Sequence, residues 1–321
     1  SRAVFQARSR IMTLTRRFLD ERDFVEVETP VFHPIPGGAL ARPFVTHHNA
    51  LDMELYLRIA PELYLKRLIV GGFERVYELA RVFRNEGLSP RHNPEFTMLE
   101  LYQAYADYGD MMSITESLVA HLAEAVTGST VVTYGGRELD LTVPWRRATL
   151  VDLVEEAIGV RVDVRMPVEE LAAIATAHGV EVDSAWGPGK LVLEIYEKTT
   201  EAGLWGPVFV LDYPKEVSPL ARDHREMPET AERFEALLAG RELANAFSEL
   251  TDPDEEVSHD GVTILGPTNL PSSMPYHASQ LYARNVSALV QHLAPEGELK
   301  LDFEDEITAG ACVTRKEEVP A

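Results

Sequence analysis

The chain has 321 residues, of which 45% are hydrophobic and 26% charged, a balance that excludes a disordered or collagen-like polymer and suits one large α/β enzyme domain or two ordinary ones. No apolar run approaches the ~20 residues a spanning helix needs, so no membrane association is expected. The single cysteine, Cys312, excludes a disulfide framework and fits a reducing cytoplasm. Thirty Lys and Arg against 52 Asp and Glu give a net charge of −22, so a polyanionic ligand must find a local basic patch. The chain opens at Ser1 without methionine or a signal-peptide pattern, as the interior of a longer protein would.

Residues 1–22 carry six arginines, and Ile11, Leu14 and Phe18 fall at helical spacing, predicting a basic amphipathic helix that breaks near Asp23. Val25, Val27 and Thr29 alternate with Glu26 and Glu28 as a strand stopped by Pro30. Pro34, Pro36, Gly37 and Gly38 make a loop, and a helix starts near Pro61. Strands are expected at 75–84 and 96–105. A hairpin is expected at 131–141 around Gly135-Gly136. Thr149-x-x-Asp152 caps a helix to about Ile158, and Pro167 and Gly179 bracket another. The expected blocks are 1–144, a helical insertion at 145–210, a return to chemistry-rich strands at 211–257, and a tail at 258–321 with a helix at Ser279–Leu293.

The loop between the two central strands holds Arg84, Arg91, His92 and, at its end, Phe96. Guanidinium groups grip phosphate through forked bonds, and an aromatic ring can stack on a base. A charged hairpin loop has the same composition. Strand alternation separates Phe96, Met98, Glu100 and Tyr102 on one face from Thr97, Leu99, Leu101 and Gln103 on the other. The first set is no ordinary core. At ~3.3 Å per residue its ring and carboxylate stand about 13 Å apart, room for a base at one end and a cation at the other. Asn245, Phe247 and Glu249 likewise share a face, and Glu249 beside Glu100 would suit a primary ammonium; a solvated edge strand reads the same way.

The segments Phe83-Arg84-Asn85-Glu86 and Arg91-His92-Asn93-Pro94-Glu95-Phe96-Thr97-Met98-Leu99-Glu100 resemble motif 2 of the class II aminoacyl-tRNA synthetases. The runs at 46–52, 57–68 and 70–75, with Pro36-Gly37-Gly38-Ala39 and Glu216-Val217-Ser218-Pro219-Leu220-Ala221, resemble the lysyl branch of that family. The resemblance covers about residues 2–255. It implies an α+β fold, an antiparallel sheet flanked by helices, and a homodimer formed through the region ending at Pro30. It implies a lysine–tRNA ligase that activates L-lysine with ATP and transfers it to tRNA. A paralogue that attaches a lysine-type amino acid to a protein, and a non-catalytic lysine- and ATP-binding remnant, stand as alternatives.

Carried over by residue, the resemblance gives Arg84 the catalytic role at the α-phosphate and the lysine carboxylate. ATP would meet Arg84, Glu86, Arg91, His92, Asn93, Phe96, Glu235 and Glu242, the last two through Mg2+. Lysine would meet Gly38, Glu62, Arg84, Glu100, Tyr102, Asn245, Phe247 and Glu249. Residues 231–239 look helical by propensity, whereas the family has a β-hairpin turning near Gly240. Strict alternation would put Glu242 and Asn245 on opposite faces, so the hairpin is expected to carry a bulge between them. His47 and His48 are expected to be structural.

Two parts of the family pattern are missing: the anticodon-binding barrel, expected to precede Ser1, and motif 3, since after Glu249 the only arginines are Arg284 and Arg315, and neither sits in its glycine-rich strand-and-helix context. From about residue 260 the sequence resembles instead the end of the NAD-binding domain of the proton-translocating transhydrogenase α subunit, without a nucleotide-binding glycine motif, and no NAD site is expected.

Overall fold

The computed structural model describes residues 2–39, 41–87 and 92–250, together with the strands 256–259 and 262–265. Two compact units divide the chain, Ser1–Leu250 and Thr251–Ala321.

The first unit opens with α1 (Arg2–Asp20), whose Phe18 and Leu19 are buried against Phe24, Tyr77 and Leu118. Arg22 finishes the helix by donating to the Phe18 carbonyl at 2.9 Å while lying over the Phe18 ring. The short β1 (Val25–Glu26) then pairs in parallel with β5 (Arg75–Phe83), which pairs antiparallel with β6 (Glu95–Gln103). The register sets Glu78 opposite Glu100 and Val82 opposite Phe96. One face of this sheet carries Tyr77, Leu79, Leu99 and Leu101 into the core formed with α1 and α3 (Tyr108–Thr127). The other presents Glu78, Phe96, Met98, Glu100 and Tyr102, as alternation requires, and α2 (Glu62–Val70) packs against these strands.

Local chemistry sets the element ends. The Asp107 carboxylate accepts from Gly109 N and Asp110 N while Asp110 accepts from Asp107 N, closing α3's first turn reciprocally. A smaller sheet orders β2 (Phe32–His33), β4 (Met53–Leu57) and β3 (Val45–His48). Its turn is braced by the His47–Asp52 pair at 3.3 Å and by His48 Nδ1 accepting from Leu51 N, so both histidines serve structure. The hairpin of β7 (Val131–Tyr134) and β8 (Arg137–Asp140) turns through Gly135 and Gly136, both at positive φ, as a two-residue turn of this kind demands.

The remaining strands form a sheet in the order β12 (Glu242–Phe247), β11 (Arg233–Leu237), β10 (Val208–Leu211), β9 (Arg146–Thr149). Val208, Val210 and Leu237 face the largest core cluster, built with α4 (Leu150–Ile158), α5 (Val168–Ala177) and α6 (Pro188–Thr199). Phe209, Phe234 and Ala236 face Trp145 and Met112 of α3. The helices at 150–199 therefore dock on strands that also belong to the site-bearing sheet. Thr149 Oγ1 accepts from Asp152 N, and Gly179 lies just past α5 at positive φ, as the sequence predicts.

Residues 231–239 hold the strand β11 (Arg233–Leu237), not the helix their propensity favours: Phe234 and Ala236 are fully buried, and burial outweighs a weak local preference. The β11–β12 ladder shifts register after Ala236, where Ala236 pairs with Ala244 and Leu237 with Glu242. Leu243 is the extra residue, and the expected bulge is present. Strand β6 ends at Gln103, two residues short of the expected end, because Tyr105 takes positive φ. In the second unit β13 (Glu256–His259) pairs antiparallel with β14 (Val262–Leu265), and the tail helix expected at 279–293 lies outside the described residues.

Candidate active site

Two patches of polar side chains share the first unit, one on α2 and β6, the other on β11 and β12. At the first, Glu62 opens α2 directly after Pro61, and Lys66 follows one turn later. Lys66 Nζ lies 2.7 Å from Glu62 Oε1 and 3.0 Å from Glu249 Oε2. The same ammonium stands 5.9 Å from the centre of the Tyr102 ring and 5.6 Å from that of Phe247. Tyr102 donates its hydroxyl proton to Glu100 Oε1 at 2.9 Å. Glu62, Glu100, Tyr102, Phe247 and Glu249 thus gather around one point, although they come from α2, β6 and the end of β12. Gly38 completes the wall at φ 89°: a Cβ there would sit 3.0 Å from Glu62 Cβ and 3.4 Å from Glu62 Oε2.

The electrostatics follow from burial. Removal from water pushes the Glu100 carboxyl up to about 7; its bond from Tyr102 works the other way and the charge of Glu62 adds to the rise. Burial also raises Glu249, against the pull of Lys66. Lys66 loses solvation too, yet Glu249 and Glu62 outweigh that loss and hold its pKa above the ordinary value. Beneath them Glu78 is buried and satisfied, with Arg58 Nη1 at 2.7 Å and Thr29 Oγ1 donating at 2.6 Å.

Arg84 leaves β5 at the mouth of the hairpin loop. Its backbone N–H donates to Pro94 O at 2.8 Å, closing the loop, and its guanidinium lies 5.3 Å from the Phe96 ring centre. Asn85 and Glu86 border an open cleft of about 780 Å³ together with Ala39, Ala41, Arg42 and Gly87. His92 and Asn93 are exposed on the returning limb, and Arg91 lies outside the described residues.

At the second patch Arg233 organises the strand face. It donates to Glu235 Oε1 at 2.6 Å, to Asn245 Oδ1 at 3.2 Å and to Ser218 Oγ at 3.0 Å, and it lies over the Tyr213 ring. Asn245 faces Glu235 in register and its amide points to Glu235 Oε1 at 3.4 Å. Burial pushes Glu235 up to about 7, and repulsion from Glu242 adds to it while Arg233 opposes. Glu235 with the neighbouring charge of Glu242 forms a pair of oxygen donors suited to a hard cation arriving with phosphate oxygens. No group of three or more acidic, histidine or cysteine side chains with metal-holding geometry occurs among the described residues.

Sequence reasoning missed Lys66, Arg233 and the Arg58–Glu78 pair. Lys66 carries a legible signal in its position one turn after Glu62. Arg233 stands two residues before Glu235, on the same face of a strand. The 216–221 motif also gains a physical role: Ser218 holds Arg233, and Glu216 Oε2 accepts from Gly189 N at the start of α6.

A long antiparallel hairpin with a carboxylate-bearing face, beside a second antiparallel sheet, is the layout of a class II synthetase core. The family model for tRNA synthetases class II (D, K and N) matches residues 1–259, and the chain belongs to this family. The lysine–tRNA ligase of Carboxydothermus hydrogenoformans is 57% identical over 256 residues, 79% of this chain and 52% of that protein. That of Moorella thermoacetica is 56% identical over 253 residues, again 79% and 52%. That of Magnetococcus marinus is 55% identical over 261 residues, 80% and 52%. The chain spans about half the length of the curated relatives it matches. A second model, the C-terminal domain of alanine dehydrogenase/PNT, matches residues 244–321, in agreement with the transhydrogenase resemblance of the tail.

Proposed function

We propose that residues 2–250 are the amino-acid-activating core of a lysine–tRNA ligase. The observation that carries this reading is the cage of Glu62, Glu249, Tyr102 and Phe247, which already surrounds an ammonium group. An α-amino acid with a second ammonium on its side chain matches that cage in charge. A neutral or acidic amino acid would leave buried carboxylates without a counter-charge.

In this reading Gly38 and Glu62 receive the α-ammonium, and Glu100, Tyr102 and Glu249 the side-chain ammonium. Asn245 and Arg84 orient the carboxylate, with Phe247 beside the aliphatic stem. Adenine stacks on Phe96, with Glu86 and Asn93 at its edge and Arg91 and His92 by the outer phosphates. The lysine carboxylate oxygen attacks the α-phosphorus, the bond to the bridging oxygen breaks, and pyrophosphate leaves. Arg84 offsets the negative charge that accumulates on the phosphoryl oxygens, and its contact with the Phe96 ring holds it beside the base. The terminal ribose hydroxyl of tRNA then attacks the lysyl carbonyl and AMP departs. Glu235 and Glu242 would hold Mg2+, which would supply positive charge to offset that of the ATP phosphates.

A homodimer fits the same reading: Val4, Phe5, Ile11, Val25 and Phe32 are exposed apolar side chains of the region around α1 that the family uses for pairing. Among the described residues no helix is long and apolar enough to cross a membrane.

A second reading is favoured by the match of residues 244–321 to a different family. It makes this chain a binder of lysine and ATP that forms adenylate slowly. Loss of one preorganised cationic contact, such as the motif 3 arginine, costs ~10²–10³ in rate. Lysine-dependent pyrophosphate exchange separates the readings. The ligase reading predicts exchange on the unmodified chain that is specific for lysine. The binder reading predicts lysine binding with exchange ~10²–10³ slower than in a version carrying motif 3. Absence of lysine binding by calorimetry would end both.

A further inference from the structure

The acidic side chains of the first patch are not equally provided for. Glu78 on β5 has Arg58 and Thr29 to itself. Glu62 on α2, Glu100 on β6 and Glu249 beyond β12 have one ammonium among them, that of Lys66, and the Tyr102 hydroxyl serves Glu100. Lys66 takes only one oxygen from each partner, Oε1 of Glu62 and Oε2 of Glu249. The second oxygen of Glu62 is the one that lies toward Gly38. The ammonium therefore ties α2 to the segment after β12, some 180 residues later in the chain, through one oxygen of each carboxylate.

We propose that Lys66 is a positioning residue: its ammonium is the resident counter-cation that clamps Glu62 to Glu249 and holds both carboxylates correctly spaced for the ammonium groups of the amino acid. This rests on the reading of the cage as a lysine site. Two opposed effects act on an incoming cation. Lys66 repels it, but without Lys66 three carboxylates would face one another in a partly desolvated space, and repulsion would place protons on them. A protonated carboxyl attracts an ammonium far less than a carboxylate does. One cation among three acids leaves the space net negative, so the second effect wins.

The test compares Lys66→Met, which keeps an unbranched apolar chain without the charge, with Lys66→Arg, which keeps the charge. In the ligand-free chain, carboxyl-carbon NMR titration is expected to show the Glu249 midpoint raised by about one pH unit in Lys66→Met, where the opposing charge of Lys66 is gone, and near that of the unmodified chain in Lys66→Arg. In calorimetry, Lys66→Met is expected to bind lysine roughly tenfold more weakly, with the pH dependence of affinity displaced upward and ATP affinity unchanged. Lys66→Arg is expected to keep the pH profile. A methionine variant whose carboxylates titrate as before, or which binds lysine as tightly or more tightly, overturns the proposal. If the unmodified chain binds no lysine, the reading of the site falls, and the titration alone decides whether Lys66 is the clamp.

Discussion

Glu78 and Glu100 face each other across the β5–β6 ladder, and among the described residues only Glu78 has a guanidinium in contact, that of Arg58 at 2.7 Å. Like charges directly opposite on a sheet repel. Here the conflict is divided: Arg58 offsets Glu78, while Glu100 keeps its proton up to about pH 7.

That division predicts a pH dependence of stability. Glu100 titrates near 7 when folded, against an ordinary value of 4.5, so the folded chain binds a proton that the unfolded chain has released. Its contribution is full below about pH 4.5 and disappears as pH rises through 7. Glu235 acts in the same direction. Denaturant unfolding of the ligand-free chain, followed by fluorescence of Trp145, Trp186 and Trp205, is expected to show stability falling between pH 5 and 8 by up to about 3 kcal/mol per group. Glu100→Gln is expected to flatten the curve, and an unchanged slope would show that Glu100 is not the source.

Lysine should bind with release of a proton near neutral pH, because the ammonium requires Glu100 ionised. Calorimetry in buffers of different ionisation enthalpy reads the proton count directly. Glu100→Gln is expected to abolish most of the release.

Glu249→Gln is expected to weaken lysine binding by about 1.5–3 kcal/mol, the worth of a hydrogen bond to a charged group, and to leave ATP binding nearly unchanged. Equal losses for both ligands would place Glu249 outside the amino-acid site.

Breaking the buried Arg58–Glu78 pair by Arg58→Met leaves an uncompensated carboxylate and is expected to cost about 3–5 kcal/mol in unfolding free energy. The double variant Arg58→Met, Glu78→Leu should recover much of that loss, because the second change removes the stranded charge. Recovery in urea midpoints distinguishes this from a simple packing defect.

Much of this arrangement is legible in the residues because strands alternate. The parity of Phe96, Met98, Glu100 and Tyr102 identifies the face that carries the ring, the carboxylate and the phenol before any coordinates, and Gly135-Gly136 announces its turn. Helical propensity misleads at 231–239, where Ala236 and Leu237 serve a buried strand as readily as a helix. Lys66 escapes notice for a different reason. Its pairing with Glu62 one turn away is local, but its contact with Glu249 forms only when α2 and the segment after β12 are brought together, and no local pattern encodes a contact over that separation. Arg58 and Glu78 are hidden likewise, since each looks like an ordinary charged residue until both are found buried.

Leu243 is counted along the chain but not across the sheet. Glu242 and Asn245 therefore fall on the same face of the sheet although their spacing is odd, and Glu235 stays in register with Asn245. A relative lacking one residue at this point would present the same side chains from the same side, because Glu242 would simply move up beside Ala244 and remain opposite Leu237. What it would lose is the local kink and added twist of the hairpin. Loop length and displayed chemistry are thus uncoupled here: the hairpin can shed a residue, and change its curvature, without rewriting the surface it offers.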